Sequence, residues 1–529
     1  MRIGRPGVVS TIRRRGGEPD RTRRSRLKPS VRRPGVVLLA VLAVAALAGA
    51  AVGRGTAGAK PLEKPFVFTD RLAGSDDMKA HPPEQPDTTI EPSIAVNPAN
   101  PDNAVAVYQE GRVDGGGAED NGWATTFDGG KHWIHGDLPK LTRDVGGQFD
   151  RASDAVVAFG PNNVVYANSL VFDDTTNNAL RSGLTVNVST DGGRTWGDPI
   201  LLQDDDGAGL NDKNWIVVDN GQGPGHHHGR VYVVWDRVVP VLATYSDDRG
   251  KTWLPAPSLI YSGQGIGAMP MVMPNGDLAV AFLTDVALAP TLHPNPGDDL
   301  AEPIPGVSKM VISVARGAGG LPTGTPLVFT PPTSVGVFEG NSIRQQRAGG
   351  LPTADVDPRT GRIYVSWEDG RFRTDSANDV VLTWSDDEGT TWTPVRVVNP
   401  GTPGDWIDRY NPAVGIGPDG SVRIAYRARR EAAAVKDFSP YVDTFYQRSL
   451  DGGRTFSAPL RVNRVRTNVD FAAFSRNGAF LGDYHQVAVA GARTYVVRCE
   501  AYAPSPDAPA TFPPTVHHQT TWVAVVGGG

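Results

Sequence analysis

The chain has 529 residues and a single cysteine, Cys499, so no disulfide can form within it and its stability must come from packing. Its 62 glycines and 44 prolines interrupt helices. The net charge of -5 is uneven: residues 1–33 carry twelve Arg or Lys against Glu18 and Asp20, which leaves an acidic remainder. An acidic body excludes general nucleic-acid binding, which needs a cationic surface to displace counterions.

Residues 1–34 form a basic n-region, and residues 35–52 form an apolar run with small residues at its end. This order is that of a secretory signal. An uncleaved membrane anchor is the alternative, since the run is slightly short for a span. Residues 53–64 are a linker, and residues 65–529 form the body, expected outside the cytoplasm. The predicted localisation is extracellular, either secreted or anchored.

The body is predicted to be all-β. Short apolar runs rich in Val, Ile, Tyr and Trp come in pairs separated by turn residues. Seven such pairs occur in chain order. The first is Ser93–Val96 with Ala104–Tyr108, and the last is Gln486–Val489 with Thr494–Val497. After most pairs comes the string Ser/Thr-x-Asp-x-Gly-x-Thr-Trp. Its five copies are centred on Asp128, Asp191, Asp248, Asp387 and Asp451, and a degenerate copy spans Ser313–Gly317. The string reads as a hairpin turn: the carboxylate accepts backbone N–H groups, the glycine supplies positive φ, and the aromatic starts the next strand. These five aspartates are therefore expected to be structural.

A repeat of this period implies blades of four antiparallel strands, A to D, with the string at the C–D turn. The seventh pair is followed by a third strand, Thr521–Val526, and no fourth. The early segment Phe66–Thr69 has no partner. Pairing them closes the ring and removes two open edges. The prediction is thus a seven-bladed β-propeller closed by its N- and C-terminal strands, with six blades as the alternative.

The string resembles the Asp box of the sialidase superfamily, also called BNR-repeat proteins, and the resemblance covers roughly residues 65–529. It implies a glycan or glycoconjugate partner and glycoside hydrolysis of the exo-α-sialidase type. A non-catalytic propeller that binds glycan or protein at the cell surface is the alternative. A monomer is expected. In this topology the boxes share a face with the A–B turns, so candidate site residues come from the opposite face, where A strands begin and B strands end. Ionisable residues recur there. Glu91, Arg151, Asp154, Asp212, Lys213, Arg347, Asp408, Arg409, Tyr410, Asp483 and Tyr484 enter A strands. Glu110, Asp236, Arg237, Glu368, Asp369, Arg371, Arg427 and Glu500 leave B strands.

Sialidases use a tyrosine nucleophile. By resemblance, Tyr410 or Tyr484 takes that role, Glu368 supports it, and Asp154 or Asp212 is the acid. Arg237, Arg371 and Arg409 are the candidate carboxylate clamp, with Arg427 and Arg151 as further substrate-binding residues. One departure stands out. Where the family places its first clamp arginine before the first blade strand, this chain has Thr89-Ile90-Glu91-Pro92-Ser93, with an acid in place of the base. No metal ligand set is predicted and no cofactor is required, although the run Asp204, Asp205, Asp206 has the chemistry of a Ca²⁺ loop.

Overall fold

The computed structural model describes residues 64–79, 84–173, 181–205, 211–237, 239–284, 308–341, 343, 345–348, 350–375, 377–402, 404–430, 439–475 and 478–528. The basic n-region, the apolar run and nearly all of the linker lie outside the described residues, as does Asp206.

Strands dominate; three short 3-10 turns are the helical elements among the described residues. Twenty-eight of the thirty-two strands among the described residues assemble into seven antiparallel sets of four. Blade 1 is Glu84–Val96, Ala104–Val113, Ala118–Thr126 and Ile134–Asp137. Blade 2 is Arg151–Phe159, Val165–Phe172, Ser182–Ser189 and Ile200–Asp204. Blade 3 is Asp212–Val218, Val231–Asp236, Val241–Ser246 and Ser258–Tyr261. Blade 4 is Gly265–Val272, Leu278–Thr284, Lys309–Ala315 and Thr333–Val337. Blade 5 is Thr353–Val356, Ile363–Asp369, Asp379–Ser385 and Arg396–Val397. Blade 6 is Ile407–Ile416, Val422–Arg430, Tyr441–Ser449 and Leu460–Arg461.

Blade 7 is Gln486–Ala490, Arg493–Ala501 and Gln519–Gly527, and its fourth strand is the N-terminal Phe66–Gly74. That strand runs antiparallel to Gln519–Gly527 from Phe66↔Gly527 to Gly74↔Thr521. The ring is therefore closed by both ends of the body, as the unpaired early strand predicted. Each A strand touches the A strands of its two neighbours, and blade 7 meets blade 1, so the inner strands form one cycle around an axis.

Between blades the faces are apolar. Val156, Tyr166 and Val186 of blade 2, for example, share a cluster with Ile216, Val233 and Trp235 of blade 3. Burial of such side chains contributes about 25 cal/mol per Å² removed from water, which is the main force holding the blades together. Side chains also tie neighbouring A strands at the channel wall. Ile94 N–H donates to Gln486 Oε1 at 2.9 Å, Val157 N–H to Ser93 Oγ at 3.2 Å, and Ile416 N–H to Asp355 Oδ2 at 2.7 Å.

The boxes have the predicted turn chemistry. In the blade 5 copy, Asp387 Oδ1 accepts the Ser385 hydroxyl at 2.8 Å and the Thr391 N–H at 2.7 Å, while Oδ2 takes the Thr391 hydroxyl at 2.6 Å. Those bonds hold its carboxyl below the ordinary range, the Thr391 hydroxyl contributing most. Asp128, Asp191, Asp248 and Asp451 make the equivalent contacts. The degenerate blade 4 copy lacks its aspartate, and there Gly317 N–H donates instead to Asp277 Oδ1 at 2.5 Å, from the A–B turn. Box residues bond to neighbouring A–B turns, as in Gly129 N–H to Asp102 O at 2.9 Å and Gly192 N–H to Asn163 O at 3.0 Å. The boxes thus lie on the A–B face, away from the starts of the A strands.

One feature was not predicted. Five A strands carry a bulge at the same place, and the residue there has positive φ: Glu91 at 51°, Asp154 at 45°, Lys213 at 37°, Gly267 at 71° and Asn411 at 50°. Four of these five are not glycine, and each such residue costs on the order of 1–2 kcal/mol. Bulges re-aim side chains, and these five stand where the A strands begin.

Candidate functional site

A cavity of ≈ 660 Å³ follows the axis and is lined by A-strand residues of all seven blades. Pro98, Asn220, His226, Pro274 and Pro358 flank its end on the box face. Lys213, Asn411, Asp483 and Tyr484 stand at the other end, where the A strands begin.

Lys213 is the centre of this second end. Its Nζ lies 3.0 Å from Asp154 Oδ1, 3.2 Å from Asp483 Oδ2 and 3.3 Å from Glu91 Oε1, and the four side chains are 4–10 % exposed. Three of these residues, Glu91, Asp154 and Lys213, sit on the strained bulges, so the backbone conformation delivers their charges to the axis. Arg347 grips Asp483 from the far side, Nε to Oδ1 at 3.1 Å and Nη2 to Oδ2 at 2.6 Å. Glu91 Oε1 also accepts the Asp483 N–H at 3.0 Å, and Gln109 donates to Glu91 Oε2. The Tyr484 ring lies 5.2 Å from Lys213 Nζ and meets Trp215 edge-on at 5.4 Å.

The electrostatics follow from burial and sign. Burial works against the Lys213 charge, but Asp154, Glu91 and Asp483 outweigh it and raise its pKa well above the ordinary value. Glu91 is pushed up to about 7, chiefly by burial, with Lys213 opposing and Asp154 and Asp483 reinforcing. Asp212 is raised to about 6 by burial and then by Asp154. The Tyr484 hydroxyl is raised well above its ordinary value by burial and by Asp154 and Glu91. It is buried without a hydrogen-bond partner among the described residues. Two carboxyls poised near neutrality beside a fixed cation can exchange a proton with a bound hydroxyl or ether oxygen.

The sequence-derived candidates divide into two groups. Asp154, Asp212 and Tyr484 meet at this cluster, with Glu91, Lys213, Arg347 and Asp483. A second group lies between blades 5, 6 and 7. Tyr410 is buried, its hydroxyl donates to Gln346 Oε1 at 2.9 Å, and burial raises it to about 12. Glu368 accepts the Gly350 N–H at 2.5 Å and the Asn411 N–H at 3.2 Å, and burial raises it to about 6. It thus braces the backbone next to Tyr410 and makes no bond to the tyrosine hydroxyl. Arg427 is buried and donates to the carbonyls of Leu481 at 2.8 Å and Gly482 at 3.4 Å, beside Asp483.

The remaining arginines are held on separate partners. Arg237 pairs with Asp205 at 3.0 Å, Arg371 with Asp369 at 2.5 Å, and Arg409 with Asp405 at 2.8 Å and Asp379 at 3.1 Å. Arg151 donates to the Gly116 carbonyl at 2.9 Å. Asp204 is paired with Arg181 at 2.6 Å. Among the described residues no three His, Cys, Asp or Glu side chains are grouped so as to hold a metal ion. Trp215 and Gln109 were not anticipated; the only sequence sign of Trp215 was its place two residues after Lys213.

No protein-family model and no curated protein matches the sequence. Solved structures do resemble the fold. An intramolecular trans-sialidase from Ruminococcus gnavus matches at 12 % identity and a TM-score of 0.40, covering 66 % of this chain and 91 % of that one. An ulvan lyase matches at 12 % identity and 0.46, covering 88 % and 96 %. An α-L-arabinofuranosidase from Fusarium graminearum matches at 9 % identity and 0.38, covering 87 % and 98 %. At this identity the likeness concerns the fold alone.

Proposed function

We propose that the protein is an exported, glycan-acting propeller whose ligand is held where the A strands begin, over Lys213, Glu91, Asp154, Asp483 and Tyr484. The observation that carries this reading is the lysine set among three buried carboxylates at the end of the axial cavity. Such a cluster offers fixed acceptors and a donor to sugar hydroxyls, next to two aromatic rings, in a concave place. Glu91, near neutrality, is the proton donor to a glycosidic oxygen, and Asp154, paired with Lys213, faces the positive charge that develops on the sugar. Glycoside cleavage is the finer reading, with the sialoside bond as one member of the substrate panel.

A second reading, binding without turnover, is favoured by one observation. Arg237, Arg371 and Arg409 are each already engaged by a carboxylate, so no ready-made clamp for an anionic sugar stands beside Tyr484.

The test is hydrolysis of a panel of chromogenic glycosides, including an α-sialoside, by the full chain and by Glu91→Gln and Tyr484→Phe. Turnover that falls about 100-fold or more in Glu91→Gln supports the first reading. Absence of turnover, with retention on a glycan array that Glu91→Gln abolishes, supports the second. Absence of both would remove the site assignment. Fractionation of cells expressing a C-terminally tagged chain tests export: the tag must be accessible to external protease.

A further inference from the structure

Most of the axial cavity lies between the lysine cluster and the box face, and there its character changes. Ala95, Val217, Met269, Val272, Ala488 and Val489 line it and are half-buried although they stand on the innermost strands, so they present apolar surface to the lumen. The inner edge of an A strand would also point unpaired N–H groups at the axis, but side chains of the preceding blade take them up. Ile94 N–H goes to Gln486 and Val157 N–H to Ser93. Ala354 N–H goes to Met269 Sδ at 3.0 Å, Val414 N–H to Thr353 Oγ1 at 3.2 Å, and Ile416 N–H to Asp355 Oδ2 at 2.7 Å. The junctions of blades 7 and 1, 1 and 2, 4 and 5, and 5 and 6 all withdraw donors from the lumen in this way. Asp355 is the charged side chain of the middle wall, and its Oδ1 accepts the Val356 N–H at 2.8 Å, so both its oxygens are turned onto backbone.

The two ends differ. At the lysine end Lys213, Asn411, Asp483 and Tyr484 are buried, whereas at the box end Pro98, Asn220, Pro274 and Pro358 are exposed. The cavity therefore opens on the box face. Those four rim residues carry no charge, and His226 beside them is already bonded to Asp219 at 2.7 Å and to the Pro274 carbonyl at 2.9 Å. From Lys213 through the blade 3 A strand to Asn220 the lining extends roughly 20 Å, at about 3.3 Å per residue. The volume of ≈ 660 Å³ spread over that length gives a mean cross-section of roughly 30 Å². This is a long, narrow space with a closed base and an open mouth.

We propose that the axial cavity receives one unbranched alkyl chain of an amphiphile with an uncharged head group, which enters from the box face and leaves its head at the rim. The wall offers apolar area and few donors, so an apolar chain displaces loosely held water at a gain. The volume falls within the roughly 300–1,000 Å³ typical of small-molecule sites. An anionic head finds no advantage at either end, since the exposed rim residues are uncharged and Lys213 is already surrounded by three carboxylates. The chain and the lysine cluster occupy different parts of the axis, so the proposal stands whether or not a glycan is held over Lys213.

The experiment is isothermal titration of the full chain with hexan-1-ol, heptan-1-ol and octan-1-ol, with octanoate as the charged counterpart. One chain per protein is expected, with affinity rising about fourfold per added methylene and a negative heat-capacity change. Octanoate should bind no more tightly than octan-1-ol. Ala488→Phe, which places a ring in the lumen, and Val217→Asn, which makes its wall polar, should each weaken octan-1-ol binding about tenfold or more; thermal midpoints verify that both are folded. An affinity that does not change with chain length overturns the proposal, and that measurement needs no variant. So does uptake that fails to saturate near one chain per protein, tighter binding of octanoate than of octan-1-ol, or wild-type affinity in either folded variant.

Discussion

Replacing Lys213 with methionine keeps most of the side-chain volume and removes the cation. Glu91, Asp154 and Asp483 are then left around one point with Arg347, paired with Asp483, as a nearby opposite charge. Breaking a buried ion pair on one side costs about 3–5 kcal/mol. The four side chains are at most 10 % exposed, so solvent screening reduces this little. With about 2.1 cal/mol/K of unfolding entropy per residue, a propeller of this size has an entropy near 1 kcal/mol/K, and Lys213→Met should melt about 3–5 °C lower at pH 8. The pH dependence gives a sharper test. Glu91 is raised to about 7 in the folded protein. A carboxyl raised on folding contributes stability below its unfolded value near 4.3 and loses it as pH rises through the folded value. Without Lys213, Glu91 and Asp212 are raised further, so at pH 5 more of the charge is protonated away and the deficit shrinks. Scanning calorimetry of wild type and Lys213→Met at pH 8 and pH 5 reads both effects, with Lys213→Arg as the variant that keeps the charge. A deficit below about 1 °C at pH 8, or one that widens on acidification, would refute the claim that this lysine compensates three buried carboxylates.

Glu110 presents the opposite case. It is buried with both carboxylate oxygens unpartnered among the described residues, and burial followed by Asp137, Asp76 and Asp120 raises it well above the ordinary range. Glu110→Gln should therefore stabilise the protein by about 1–3 kcal/mol at pH 8, the gain vanishing below pH 4.5, where Glu110 is protonated in both states; a lower melting point at pH 8 would contradict this. Asp387→Ala removes the carboxylate that closes the blade 5 box and should cost about 2 kcal/mol by calorimetry. It should leave glycan retention intact, since the box lies on the far face; loss of retention at an unchanged melting point would place ligand at the boxes instead. Deleting residues 1–74 removes the fourth strand of blade 7 and leaves Gln519–Gly527 as an open edge. Size-exclusion chromatography should then show aggregates, whereas a monomer of normal stability would mean that the N-terminal strand does not close the ring.

The fold was legible because its signals are local. The Asp-box string fixes a turn within eight residues, and the paired apolar runs fix the two strands before it. Even the closure followed from local counting, because Phe66–Thr69 and Thr521–Val526 were the two strands without partners. The degenerate box shows where such reading ends. Ser313–Gly317 lacks the aspartate, and nothing in that string shows that Asp277 of the A–B turn accepts the Gly317 N–H, which in the intact boxes goes to the serine or threonine hydroxyl. The left-handed bulges were equally hidden, since Glu91 and Lys213 are not residue types that favour positive φ, and Asp154 and Asn411, which are, do not stand out among the many other Asp and Asn residues of the chain.

The site was legible as a ring of positions but not as a set of contacts. Every charged member of the lysine cluster stood among the residues that begin A strands, yet Glu91 and Asp483 bond across 392 residues of sequence. No spacing rule joins them; the ring does, by bringing blade 7 next to blade 1. The same closure explains the acid that replaces an expected arginine at Glu91. As one arm of an anion clamp it repels its ligand, but beside Lys213 and Asp154 it balances charge at the axis and holds a proton near neutrality. The substitution that looked like a lost binding residue is therefore part of a different site, one organised around a buried cation rather than around three free arginines. A ligand recognised there must interact with carboxylates and an ammonium at once, which suits the donor and acceptor hydroxyls of a sugar better than a carboxylate group.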